Sequence, residues 1–110
     1  MVIYEVNLTV KNEIFSDYYP WLIEHIKIML QFQGFRKAQI SKEKYDENIN
    51  NETKLTVHYS LDTEADLEHY LNHHAKNMRA ESISKFGDKF SASRRVLLQT
   101  DLIPGNDNLL

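Results

Sequence analysis

Val2, Tyr4, Val6, Leu8 and Val10 occupy alternate positions, with Glu5, Asn7 and Thr9 between them and Ile3 the apolar exception. That two-residue period predicts a strand with one face for a core and one polar face. It recurs over residues 53–61, where Leu55, Val57, Tyr59 and Leu61 share a side and Thr56, His58 and Ser60 take the other. Residues 35–42 and 89–100 read as two further strands, the first opened by the stop signal Gly34 and the second by Gly87.

Between these strands the period changes. Residues 17–32 read as a helix, capped by Ser16 or Asp17, with Pro20 expected in the first turn, where a missing N–H costs little. Its apolar positions, from Tyr18 to Phe32, cover an arc of about 220° at 100° per residue. One sheet face does not need so wide an arc, so the C-terminal tail or a partner subunit is expected to cover the surplus. Thr63 and Asp66 open a second helix with the apolar side Leu67, Tyr70, Leu71 and His74. Beyond Ala75 the apolar direction, now Met78, Ile83 and Phe86, turns by roughly a quarter turn, which predicts a break near residues 74–77. Residues 44–52 read as a polar loop and residues 101–110 as a tail.

The order β-α-β-β-α-β gives a four-stranded antiparallel sheet with its helices on one face, an α+β domain over residues 1–100. The other face would carry Glu5, Asn7, Thr9, Thr56, His58 and Ser60 with Lys37 and Gln39. It faces either solvent or a second such sheet. The wide apolar arc of the first helix favours a homodimer.

Composition narrows the function classes. The chain has 110 residues, enough for one core. It has no cysteine, which removes disulfides, thiolate metal sites and a cysteine nucleophile and fits a reducing compartment. A net charge of −3 argues against a nucleic-acid partner. The absence of a basic segment followed by an apolar one gives no signal peptide, and no apolar run is long enough for a bilayer. A cytoplasmic location without membrane association is the expectation. Charge is uneven: acids dominate residues 42–68 and bases residues 76–95, as two solvated faces or as one anion site.

The opening strand VIYEVNLTV, the segment WLIEHI and the stretch YLNHHAKNMRAESISKFGDKFSASRRVL resemble a family of small bacterial proteins known only as a domain of unknown function. That family lies within the dimeric α/β barrel superfamily. The resemblance covers residues 1–98 and rests on Trp21 with His25, then Arg79, Glu81, Phe86-Gly87-Asp88 and Arg94 in order. It implies a ferredoxin-like monomer whose sheet packs face to face with that of a second subunit. It supplies no activity. Relatives in the superfamily include cofactor-independent monooxygenases, haem-degrading enzymes, muconolactone-isomerase-like proteins and ligand-sensing regulators. Among the haem-degrading members an asparagine, a tryptophan and a histidine act together. Asn7 fits the first role, but Tyr70 stands at the tryptophan position and Ala80 and Glu81 stand where the histidine belongs, so no haem is expected.

The candidate chemistry is sparse. His69 and His73 are four apart on one helix face but come without a carboxylate motif, so they read as solvated side chains and no metal is expected. His25 and His74 fall within apolar arcs, where each is a hydrogen-bonded interior histidine or a base at the mouth of a pocket. Arg79 and Arg94, with Arg95 and Lys89, either bind a carboxylate or phosphate or pair with acids such as Glu81 and Asp88. Tyr4, Trp21, Tyr59, Tyr70 and Phe90 could line an apolar pocket or simply fill a core. There is no phosphate loop and no nucleophile elbow. The sequence therefore leads to a homodimer binding a small, partly apolar molecule through Trp21, Tyr70, His74, Arg79 and Arg94, without metal or cofactor. The rivals are a cofactor-independent monooxygenase or isomerase using His25 or His58 with Asn7 and Tyr59, and a purely structural assembly module.

Overall fold

The computed structural model describes residues 1–44 and 51–106, so most of the polar loop and the two terminal leucines lie outside the described residues. The elements are β1 (Val2–Lys11), α1 (Asn12–Met29), β2 (Phe35–Lys42), β3 (Glu52–Leu61), α2 (Glu64–His73), α3 (Ala75–Phe86) and β4 (Phe90–Leu98). The four strands form one antiparallel sheet in the order β2-β3-β1-β4. This is the ferredoxin-like arrangement of two interleaved β-α-β units.

The two-residue period does what it predicts. Tyr4, Leu8 and Val10 from β1 and Leu55, Val57, Tyr59 and Leu61 from β3 are buried on the helix side. They meet Tyr18, Leu22, Ile26 and Met29, which repeat every three or four residues along α1, together with Leu67 and Tyr70 from α2 and Met78 and Phe86 from α3. Register places Glu5 opposite His58 on one side and opposite Arg95 on the other, so the polar residues of three strands share the outer face.

Helix α1 differs from expectation at both ends. It starts at Asn12, directly after the last residue of β1, which puts Pro20 inside the helix rather than in its first turn. Tertiary contacts support the extra turn. The Asn12 N–H donates to the Asn51 carbonyl at 2.8 Å, and Ile14 and Phe15 pack against the core. Pro20 still removes one i→i−4 hydrogen bond, the one position 20 would donate to the Ser16 carbonyl. The helix ends at Met29, and turns carry the chain to Gly34, whose φ of +83° few side chains tolerate.

The break in the second helical segment falls at His74, whose φ of −126° and ψ of −29° leave the helical region. Its ring stacks on Phe32 at 4.4 Å, while its N–H still reaches the Tyr70 carbonyl. Thr63 caps α2 by accepting the Asp66 N–H at 3.1 Å. The wide apolar arc of α1 leaves Tyr19 and Ile28 exposed, and the described part of the tail does not cover them: Leu102 and Ile103 are themselves more than four-fifths exposed. No helix among the described residues is long and apolar enough to cross a membrane.

Candidate functional site

Between the sheet and the helices lies a cavity of about 50 Å³ with aromatic walls. Tyr4 and Tyr59 enter from adjacent strands and stack at 6.1 Å, with Tyr70 of α2 tilted against Tyr4 at the same distance. Trp21 and His25, one turn apart on α1, stack at 4.8 Å on the opposite wall. Arg79 of α3 closes one side and donates from Nη2 to the Tyr4 hydroxyl at 3.0 Å. Arg94 stands opposite Val6 in the β1–β4 ladder, which turns it to the helix side of the sheet.

The cavity walls are largely apolar but carry polar atoms. His25 Nδ1 and Arg79 Nε are buried and have no hydrogen-bond partner among the described residues. Burial lowers the His25 pKa below its usual 6.5, Glu81 pulls it back up, and Arg94 pushes it down again. His25 is therefore neutral at pH 7. Burial also pushes the Tyr18 and Tyr70 phenols up to about 12, and Tyr59 up further, so none supplies a phenolate. The space holds a few waters or a small group. It is smaller than the roughly 150 Å³ that accommodates benzene in a protein interior.

Of the nine residues assigned to the binding and catalytic readings, six meet here, Trp21, His25, Tyr59, Tyr70, Arg79 and Arg94, alongside Tyr4 and Phe90. Three do not. His74 lies at the helix break, stacked on Phe32 and outside the cavity wall. Asn7 and His58 belong to the outer face, and His58 and Tyr59, being consecutive in β3, point to opposite sides of the sheet. The grouping of Asn7, His58 and Tyr59 is therefore divided by the sheet itself. The expected pairing of Arg79 and Arg94 with Glu81 or Asp88 is also absent: among the described residues neither arginine makes an ion pair. His69 and His73 stack at 4.5 Å, and no group of three or more His, Asp or Glu side chains among the described residues could hold a metal.

The outer face holds an arrangement that reading along the chain overlooked. Glu5, only 5% exposed, is gripped by the Arg95 guanidinium, by His58 Nε2 at 2.7 Å and by Asn7 Nδ2 at 3.0 Å. Asn7 in turn accepts from the Thr56 hydroxyl at 2.9 Å. Arg95 above all, then His58 and Asn7, hold the Glu5 carboxyl down at about 2. Glu5 is covered by these neighbours alone, on the open side of a single sheet, so water remains close to the pair. The sequence signal was a lone acid at the centre of an alternating strand. Its partners are 53 and 90 residues away, and only strand register brings them to it.

Comparison with solved structures places this architecture. A protein assigned as an antibiotic biosynthesis monooxygenase from Deinococcus radiodurans superposes with a TM-score of 0.73 at 11% identity, covering 96% of this chain and 99% of that one. SnoaB, a cofactor-independent oxygenase from Streptomyces nogalater, gives 0.65 at 8% identity over 94% and 98% of the two chains. An ethyl tert-butyl ether d (EthD) family protein from Bacillus halodurans gives 0.63 at 12% identity over 91% and 100%. At these identities the likeness establishes the ferredoxin-like α+β fold and not the activity. No curated protein matches the chain. The model of one sequence family does match, across residues 1–100, and the chain belongs to that family, the domain of unknown function DUF4286.

Proposed function

We propose that the protein is a homodimer whose sheets meet through their polar faces, and that each protomer binds a small, partly apolar organic molecule, without a metal, in the aromatic cavity. The observation that carries the binding reading is the pair of buried nitrogens, His25 Nδ1 and Arg79 Nε, left without partners among the described residues on a wall of aromatic and aliphatic side chains. Each such group costs on the order of 1–3 kcal/mol when nothing meets it. A fold that keeps two of them beside one cavity is arranged to meet them there.

The dimer draws support from the outer face. At its centre Glu5 is paired within the protomer with Arg95 and His58, so a second sheet can cover that cluster without stranding an ion, while Lys37 stands at the edge of the same face. Beside them Ile3, Ala38 and Leu97 line an open recess of about 560 Å³ that a second copy can fill. Native mass spectrometry of freshly purified protein is expected to give twice the chain mass together with a retained small molecule, and Leu97→Glu is expected to shift the population to monomer. A wild-type monomer would sink the interface. A dimer that carries no added mass and shows no thermal shift with small alcohols or ketones would sink the binding reading and leave an assembly module.

A second, catalytic reading is favoured by the neutral and unpartnered His25 together with the fold shared with a cofactor-independent oxygenase. His25 would take a proton from an activated C–H of the bound molecule, the step an isomerase and such an oxygenase have in common. In the oxygenase case the carbanion combines with dioxygen and a proton to give a hydroperoxide. Loss of water from it then leaves a carbonyl where a CH2 stood. His25→Gln is expected to keep the melting temperature and ligand binding while abolishing exchange of the ligand C–H with deuterated solvent. Loss of folding in that variant would make His25 structural.

A further inference from the structure

The chain has four arginines. Arg36 pairs with Asp62 and Arg95 with Glu5. Arg79 and Arg94, on different elements, have no carboxylate within 4.0 Å among the described residues, and they are the two that line the cavity. Both also line a second hollow, an outer recess of about 200 Å³ between α3 and β4. Ser82 and Phe90 are shared by the two spaces as well, so the four side chains form the wall between the outer recess and the inner cavity.

Two guanidinium groups on one wall repel each other, and an anion between them relieves that repulsion. The positive field of Arg94 reaches the cavity wall, where it favours the ionised forms of Tyr18, Tyr59 and Tyr70 and disfavours protonated His25. Arg79 is held in place by its bond to the Tyr4 hydroxyl and keeps a buried Nε–H without a partner. Ser82 already donates its hydroxyl proton to the Arg79 carbonyl at 2.8 Å. The shared wall therefore offers guanidinium donors, while the outer recess offers apolar walls from Ile83, Phe90 and Ala92. At about 200 Å³ the recess exceeds the roughly 150 Å³ that holds one benzene ring, which the inner cavity does not.

The geometry points to Arg79 and Arg94 as an anion-accepting pair whose ligand is a one-ring organic acid, its carboxylate between the two guanidinium groups and its ring between α3 and β4. This deepens the small-molecule reading above and rests on it. The carboxylate, rather than a larger phosphate ester, follows from the single-ring volume and from the apolar walls of Ile83, Phe90 and Ala92.

Isothermal titration calorimetry, rather than tryptophan emission, reads binding directly, because Trp21 lines the inner cavity and not the outer recess. Benzoate and its neutral isostere benzamide, titrated against the intact protein, separate charge from shape. Benzoate is expected to bind at least about tenfold more tightly, the scale of a charge-assisted hydrogen bond. Arg94→Gln, a change at an exposed side chain, is expected to remove most of that preference, and Arg79→Gln likewise, with the melting temperature checked for each variant. Equal binding of the two compounds, or unchanged benzoate affinity in both variants, would overturn the anion pair and leave the small-molecule reading standing. Failure of both compounds to bind overturns the pair as well, and the retained mass seen in native spectra then decides the broader reading separately.

Discussion

Tyr18→Ala is expected to destabilise the protein by about 3–5 kcal/mol, the range for removing a fully buried aromatic ring. Tyr18 is 1% exposed and stands where three elements converge. Its ring lies 4.9 Å from Phe86 at the end of α3, 5.5 Å from Phe90 at the start of β4 and 5.7 Å from Trp21 on its own helix. Truncation therefore removes the wedge that ties α1 to the α3–β4 connection, and backbone from three directions cannot close the gap. Against a total stability of roughly 5–15 kcal/mol, that loss is a large fraction. Urea unfolding followed by circular dichroism measures it, with Tyr18→Phe as the control that keeps the ring and is expected to lose about 1 kcal/mol or less. A loss below about 1 kcal/mol for Tyr18→Ala would mean that the three elements do not depend on this ring.

Gly34→Ala is expected to cost about 2–4 kcal/mol, from two sources that act at once. The backbone at Gly34 has φ +83°, where an L side chain crowds its own carbonyl. An added Cβ would also sit 2.2 Å from Asp66 Oδ2 and 2.5 Å from Asp66 Cβ. The carboxylate can swing away, but the Cβ moves only with the backbone, and that backbone is the first turn of α2, fixed by the Thr63 cap and by Gln33 donating to Asp66 Oδ1 at 3.2 Å. Gly34→Asn separates the two sources, because asparagine tolerates the left-handed region but fills the same space. Equal or greater damage from asparagine in thermal melts is the expected result; a mild asparagine variant would show that φ alone is at stake.

Much of this architecture is legible along the chain because its signals are local. Alternation at Val2 to Val10 and at Leu55 to Leu61, the Thr63 cap, the stops at Gly34 and Gly87, and the turn in apolar direction before Met78 each involve residues a few positions apart. The first turn of α1 was not legible, because residues 12–16 lack a strong apolar period and owe their helix to the Asn51 carbonyl and to packing by Ile14 and Phe15. Pro20 then misleads, since its usual place near a helix start competes with a tertiary arrangement that tolerates it one turn further in.

The site divides in the same way. Residue type and helical spacing suffice to nominate Trp21, His25, Tyr70 and Arg79. Strand alternation alone places Tyr59 inside and His58 outside. No local rule says that Arg79 will reach a tyrosine 75 residues away, that Glu5 will be enclosed by His58 and Arg95, or that Arg79 and Arg94 will line the same cavity and recess. Those outcomes depend on register, which is set by the whole sheet packing at once, and on which charges the packed helices leave unpaired. Backbone period and termini were written in short-range chemistry; the meeting of distant polar groups was decided by the tertiary structure, because only there do desolvation and pairing act on the same atoms.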